Sequence, residues 1–298
     1  MLRNLIKKLV KVGCYLIGKF TGSNHIPVFT YHSIDTSKSV LSVSPDTLRK
    51  QFEFFRDNGY EPLSLEDYFQ YKKQNKSLKN KFLITFDDGY QNLYTHAFPL
   101  LKEFSYPAVV FLVTDYVGKT ASWIIRDEKI ILDRLLPTLS ESEVDIEAEK
   151  NKLHKTSTYP LLNWEEIEEM SAGGVDFQSH TNTHPFISTL NEQDLENELT
   201  RSREIIEKRL NNKVTGFCYP YCDYENPQVS RLLSENGYAG AFVGDQLNGK
   251  NQKPDKFHII RIAVWEFTTY FDLKFFFSPG YRVYKSIAKL AKGKQVYS

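Results

Sequence analysis

Several things are scarce in this 298-residue chain, and each shortage removes a class of protein. It has only three cysteines, Cys14, Cys218 and Cys222. So odd and sparse a set cannot build the disulfide framework of a small secreted domain, and it lacks zinc-knuckle spacing. Cys218 and Cys222 read as ordinary structural residues, and the sparse set favours a reducing compartment. Charge of one sign is also lacking: 38 Lys and Arg against 37 Asp and Glu leave a formal charge of +1. No global field recruits a polyanion, so nucleic acid is not an expected partner. No apolar run is long enough to span a bilayer. The opening MLRNLIKKLVKVGCYLIGKF is not expected to act as a secretory leader, because lysines at 7, 8, 11 and 19 interrupt every stretch an h-region needs. Internal repeats and low-complexity segments are absent.

What is present, 41% hydrophobic and 14% aromatic residues, suffices for one large core. A single α/β domain over residues 25–270 is the simplest reading. Residues 1–24 precede it as a basic amphipathic helix. On a wheel, Leu2, Leu5, Ile6, Leu9, Val10, Val12, Leu16, Ile17 and Phe20 share one arc opposite Arg3, Lys7, Lys8, Lys11 and Lys19. Two readings stay open: peripheral attachment to an anionic membrane, or a helix packed on the domain with a solvated basic side. Residues 271–298 repeat the mixture of lysine and apolar residues as a basic tail. The cytoplasm or the cytoplasmic membrane face is the favoured location, with secretion or the cell surface left open.

From Ile26 on, short runs rich in β-branched and aromatic residues alternate with stretches of helical period. IPVFTY, KFLITF, AVVFLV, VDFQS, TGFCY, GAFV and HIIRIAV read as strands. Ser44-Pro45-Asp46 opens a helix that runs to about Arg56 and closes at Asn58-Gly59. Ser64 starts a shorter one, and residues 191–211 carry a long charged one. Six or seven parallel strands with intervening helices predict a barrel-like α/β fold. A strongly charged stretch at about 119–159 breaks the rhythm and reads as an insertion beside the site.

Chemistry concentrates just after strands. TFDDGY, residues 85–90, puts two adjacent carboxylates behind KFLIT, where polar residues line the mouth of such a fold. Neighbouring aspartates repel, so a cation would explain Asp87 and Asp88, although Asp-Asp-Gly is also a common turn. VDFQSHTNTHP places His180 and His184 after another strand, with Pro185 arguing for a tight loop over a helix. Two imidazoles and a carboxylate, with water completing the shell, make a hydrolytic site for a divalent ion such as Zn²⁺, with Co²⁺, Ni²⁺ and Mn²⁺ as alternatives.

In these segments the chain resembles the polysaccharide deacetylases, which share the NodB homology domain and are also called carbohydrate esterase family four. TFDDGY is similar to the family's first motif, SHTNTHP to its second, and FCYPYCDY stands where the third, an aromatic-Pro-Tyr-Gly loop, belongs. The resemblance spans about residues 26–265. It implies a distorted (β/α)7-type barrel and a carbohydrate substrate deacetylated at an acetamide. It implies Asp87 as general base, and Asp88, His180 and His184 as ligands of one divalent metal ion. Pro220 and Tyr221 match the third motif, whose backbone N–H at Tyr221 would help hold the oxyanion.

The departures carry information too. Cys222 replaces the motif's glycine, which implies a different turn. No histidine follows His258, so the family's late Leu-x-His acid has no counterpart. FTYHSI offers a replacement in His32, similar to the early Tyr-His segment of a branch with circularly shifted motif order, as in biofilm poly-N-acetylglucosamine deacetylases. Imidazole titrates in the range that protonation of a leaving amine needs. The bland alternative for His32 is a structural residue at a strand end. Arg261, a charge in an apolar strand, is expected to orient Asp87, with Asp223 or a surface ion pair as the other choices. Trp123 is expected to stack on the sugar, and Trp164 to pack a helix start. Two rival functions remain: deacetylation or deformylation of a lipid- or nucleotide-linked amino sugar, and non-catalytic carbohydrate or membrane-surface binding on the same fold. The oligomeric state is not legible.

Overall fold

The computed structural model describes residues 2–18, 26–37, 39, 41–74, 80–121, 123, 159–244 and 255–293. Helix α1 (Leu2–Gly18) precedes strand β1 (Val28–Tyr31) and a two-residue pair, β2 (Ser33–Ile34) with β3 (Ser42–Val43). Then come α2 (Pro45–Asp57), β4 (Glu61–Pro62), α3 (Leu65–Gln74), β5 (Lys81–Phe86), α4 (Phe98–Phe104) and β6 (Ala108–Leu112). The second half holds α5 (Trp164–Ala172), β7 (Val175–Ser179), α6 (Glu192–Leu210), β8 (Gly216–Cys218), α7 (Val229–Glu235), β9 (Gly240–Gly244), β10 (Ile259–Ala263), α8 (Tyr270–Phe276) and α9 (Pro279–Gly293).

Seven strands close a ring in the order β1-β10-β9-β8-β7-β6-β5, and β1 returns to pair with β5. Every pairing is parallel. The expected barrel is therefore a closed (β/α)7 barrel, with β4 a short appendage on β5. The expected strands all form, within a residue or two of the apolar runs. The helices begin where side chains cap free N–H groups: Ser44 accepts from Thr47 (3.2 Å) and Asn191 from Asp194 (2.9 Å), while Asn163 and Glu166 form a reciprocal capping box at α5.

Strand alternation sorts the core into two layers. Val28, Leu83, Val109, Phe111, Phe242 and Ile259 fill the barrel interior, and Leu63, Leu65 and Tyr68 plug its base. Outward residues such as Phe29 and Phe82 meet the helices, where Phe55 and Phe277 pack against both. The insertion expected at 119–159 is tied at both stems, Ala121 N–H donating to Tyr159 (3.0 Å) and Leu161 N–H to Lys119 (2.9 Å). Its residues 124–158 lie outside those described.

The flanking segments are helical. Helix α1 lies on α9 with Gly18 and Gly280 so close that a Cβ on either would strike backbone of the other segment. Residues 271–298, expected as a tail, begin with most of α8 and all of α9.

Candidate active site

The site is built from the residues that follow strand ends. The ladder continues one step past β5, Asp87 N–H donating to Tyr31 (3.0 Å), which carries Asp87 to the next inward position. The chain then swings through a left-handed pair, Asp88 (φ 68°) and Gly89 (φ 78°). The positive φ favours glycine at Gly89, where a Cβ would also come within 2.7 Å of a Leu112 methyl that would have to shift. The turn separates the two carboxylates, Asp87 toward the barrel interior and Asp88 toward the loop after β7.

That loop is a tight one, as Pro185 suggested. His180 N–H donates to Leu112 (2.9 Å), extending β7 by one inward residue. Thr181 (φ 67°) and His184 (φ 61°) are both left-handed, a conformation that costs non-glycine residues about 1–2 kcal/mol each. Side chains hold it: Thr181 Oγ1 accepts from His184 N–H (3.0 Å). From α6, Glu198 accepts from the N–H groups of Asn182 (2.7 Å) and Thr183 (2.9 Å) and from the Thr183 hydroxyl (2.6 Å).

Asp88, His180 and His184 thus converge, all buried. The Nε2 atoms of His180 and His184 stand 3.5 and 3.4 Å from Asp88 Oδ1. Burial, opposed by Asp87 and by a bond to the Cys218 carbonyl, pushes His180 down to about 4, so its ring is neutral near pH 7. Its Nδ1–H donates to that carbonyl (2.8 Å), which leaves the Nε2 lone pair facing Asp88. His184 Nδ1 is likewise fixed by the Tyr221 hydroxyl (2.9 Å). Burial and the Asp87 charge push Asp88 well above the usual carboxylate range, partly offset by the Arg261 charge and then by the Tyr90 hydroxyl and the Trp123 indole. Two lone pairs and a carboxylate oxygen facing one another repel unless a proton or a metal cation lies between them. Donors around a tetrahedral ion with bonds of about 2.0–2.1 Å are about 3.3–3.4 Å apart, close to the two separations seen here. The donor set fits a divalent metal ion, with each imidazole held from behind.

Beside this trio, Arg261 donates to both Asp87 oxygens (2.6 and 2.7 Å), and Asp223 instead accepts from Ser188. Burial alone would raise Asp87; the Arg261 charge and its paired bonds outweigh it and hold the carboxyl well below the usual range. His32, following β1, has Nε2 3.7 Å from Asp87 Oδ2 and, with 24% of its side chain exposed, is the open member of the cluster. Burial lowers its pKa against the opposing pull of Asp87.

The third-motif loop turns as 3-10 at Pro220–Cys222, with Tyr221 and Cys222 both at φ 56°. Cys222 was expected to force a different turn, yet it adopts the left-handed conformation a glycine would favour, and its Sγ accepts from Gly244 N–H (3.2 Å). Pro220 is buried, and Tyr221 stacks on Phe186 at 4.1 Å. Trp123 differs from expectation. It is 5% exposed and stacks on His184 (4.7 Å, 22°) with Tyr116 edge-to-face beside it, so its ring supports the His184 imidazole instead of facing a sugar. Trp164 starts α5 with Arg209 over its ring.

Sequence reasoning missed several contributors. Cys218, set aside as structural, puts Sγ 3.0 Å from Arg261 Nη2, and Thr85 lies 3.3 Å from Nη1. Inward alternation along TGFCY and KFLITF was the available signal. Past β10, Val264 N–H donates to Thr30 (3.1 Å), and Trp265 then enters a tight turn, its N–H donating to Thr268 Oγ1 (2.8 Å) and its ring parallel to that of exposed Phe267 (6.2 Å, 7°).

Carboxylates and imidazoles clustered at the C-terminal mouth of a parallel barrel define a hydrolase-type site that can hold a metal. The family model for polysaccharide deacetylase matches residues 74–241, more than half of the sequence, and the chain belongs to that family of carbohydrate deacetylases. It is 25% identical over 240 residues to the Bacillus subtilis (strain 168) protein YxkH, covering 80% of this chain and 71% of that protein. A Staphylococcus epidermidis protein named poly-beta-1,6-N-acetyl-D-glucosamine N-deacetylase is 24% identical over 235 residues, 75% of this chain and 68% of that protein. The solved structure of IcaB from Ammonifex degensii superposes with a TM-score of 0.64 at 20% identity, covering 86% of this chain and 98% of that one, a likeness of fold.

Proposed function

We propose that the chain is a metal-dependent hydrolase removing acetyl groups from N-acetylglucosamine-type glycans. One observation carries the reading: the buried Asp88–His180–His184 trio has ligand-like separations and lies one residue along from an aspartate gripped by arginine. The sugar type is taken from the name of the Staphylococcus epidermidis relative. Held by the trio, a divalent ion, zinc in this reading, would supply Lewis acidity toward the acetamide oxygen and acidify water.

The chain's own groups do the rest. Asp87, kept ionised by Arg261, receives a proton from water. His32, adjacent to Asp87 and on the open side, delivers a proton to the departing nitrogen, which leaves readily only as an amine. That role would suit the branch with an early Tyr-His segment. The Tyr221 backbone N–H supports the oxyanion, and exposed Phe267, backed by the parallel ring of buried Trp265, offers an apolar face to a pyranose ring.

The test is metal content after zinc reconstitution, together with acetate release from N-acetylglucosamine oligomers. We expect one ion per chain, a loss of about a hundredfold or more in Asp87→Asn with the metal retained, and a similar loss in His32→Ala. A chain that takes up no metal, or an undiminished Asp87→Asn, would sink the mechanism. A wild-type rate in His32→Ala would remove the acid.

A further inference from the structure

Helix α1 is docked by its less apolar side. The residues it turns inward are Val10, Lys11, Cys14, Tyr15 and Gly18. Lys11 pairs with Asp272 of α8 and lies over Phe275, and Tyr15 meets Phe271 and Phe275 edge-on. The apolar arc points the other way, with Leu9 63% and Ile17 57% exposed and Val12 and Leu16 also open. Val283 and Ile287, one turn apart on neighbouring α9, are exposed as well. Eight of the ten large hydrophobic residues exposed among the described residues lie on α1, α8 and α9. A helix that merely covered the barrel would bury that arc; this one presents it.

Charge is segregated in the same way. Residues 1–34 and 273–298 together hold eleven basic residues and no acidic one, whereas residues 35–272 hold 27 basic against 37 acidic. The overall charge of +1 conceals an acidic body with strongly basic flanks. Lys8 and Arg282 are exposed next to the apolar row. Among the described residues no helix is long and apolar enough to cross a membrane.

We propose that α1 and α9 form a two-helix platform that docks flat on an anionic lipid surface, with the apolar row in the headgroup boundary and the lysines and arginines on lipid phosphates. Arg282 lies near Tyr68 and Lys72 of α3, the helix that plugs the barrel base. Docking therefore uses the flank toward the base and leaves the catalytic mouth open to a glycan.

The platform is independent of the catalytic reading, so its test reads binding first. Full-length protein is sedimented with vesicles of phosphatidylcholine alone, or with roughly one third phosphatidylglycerol. We expect pelleting with the anionic vesicles only, weakened in about 0.5 M salt. Leu16→Asn with Ile17→Asn should cut binding by about tenfold or more. The same double variant should keep the wild-type circular dichroism spectrum and melting temperature, and its acetate release wherever the wild type shows any. Equal pelleting with both vesicle types, none with either, or unchanged binding by the variant would overturn the proposal. So would a wild-type dimer that this variant splits, because a second copy would then own the surface.

Discussion

Arg261 reaches its partner from inside a strand, an uncommon place for a guanidinium. Its two bonds to Asp87 hold both carboxylate oxygens in a pair that is nearly without solvent, and the Cys218 sulfur and Thr85 hydroxyl lie against the other side of the fork, while the buried Nε–H finds no partner among the described residues. A pair in such a setting fixes geometry more than it adds stability, because desolvation offsets much of the attraction. Arg261→Lys keeps the charge but loses the fork. We expect acetate release to fall about ten- to a hundredfold with KM little changed, as for a lost supporting contact. Asp87 would lose part of what holds its carboxyl low, so the acid limb of the pH–rate profile should move to higher pH. Arg261→Met strands the buried carboxylate and should cost about 3–5 kcal/mol, read from urea denaturation. An unshifted acid limb in the lysine variant would show that Arg261 only fills space.

Among the elements, α6 does more than cover β7. Its Glu198 takes three hydrogen bonds from residues 182 and 183 and so holds the loop whose left-handed Thr181 and His184 aim an imidazole at Asp88. Glu198→Ala should release that strained loop and weaken metal affinity about ten- to a hundredfold in a chelator competition titration. Glu198→Gln, which keeps an acceptor, should fall between. Equal affinity in all three would mean the loop holds itself. The elements that place the site were legible because their signals are local: the apolar runs from KFLITF to HIIRIAV became strands, and Asp87 and His180 sit one inward residue beyond their ends. The details of the site were not. Left-handed φ recurs at Asp88, Thr181, His184, Tyr221 and Cys222, none of them a glycine, and at the histidine loop and Cys222 it is held in part by contacts distant in sequence, from Glu198 and Gly244. Trp123 misled for the same reason: composition says that an aromatic stands near the mouth but not that its face already rests on His184. The outward apolar arc of α1 was equally invisible, since a wheel cannot say which side docks.

The whole molecule has an axis running from a sealed base to an open mouth. Apolar side chains and α3 fill the base, Thr85, Cys218 and Arg261 form a middle layer, and the titrating groups gather at the top. Asp176, near the start of β7 and so toward the base, runs against that gradient. Burial pushes its pKa up to about 6 from 3.8, and one bond from Gln178 (2.7 Å) only partly opposes this. Gln178 is itself committed to the N–H groups of Thr215 and Gly216. Because the folded state holds this proton more tightly than the unfolded chain, the stabilising contribution is complete below the ordinary aspartate value and is lost as pH rises through about 6. At neutral pH the molecule therefore carries a charge at a partly buried position, at a cost of about 1–3 kcal/mol. Asp176→Asn keeps an oxygen for Gln178 and removes the charge. We expect it to raise the urea midpoint at pH 8, with the gain vanishing near pH 4, while acetate release at the other end of the barrel is unchanged. A gain of equal size at both pH values would mean that the amide packs better for reasons unrelated to charge. No gain at pH 8 would mean that solvent reaches the base of the barrel more freely than its closed plug implies.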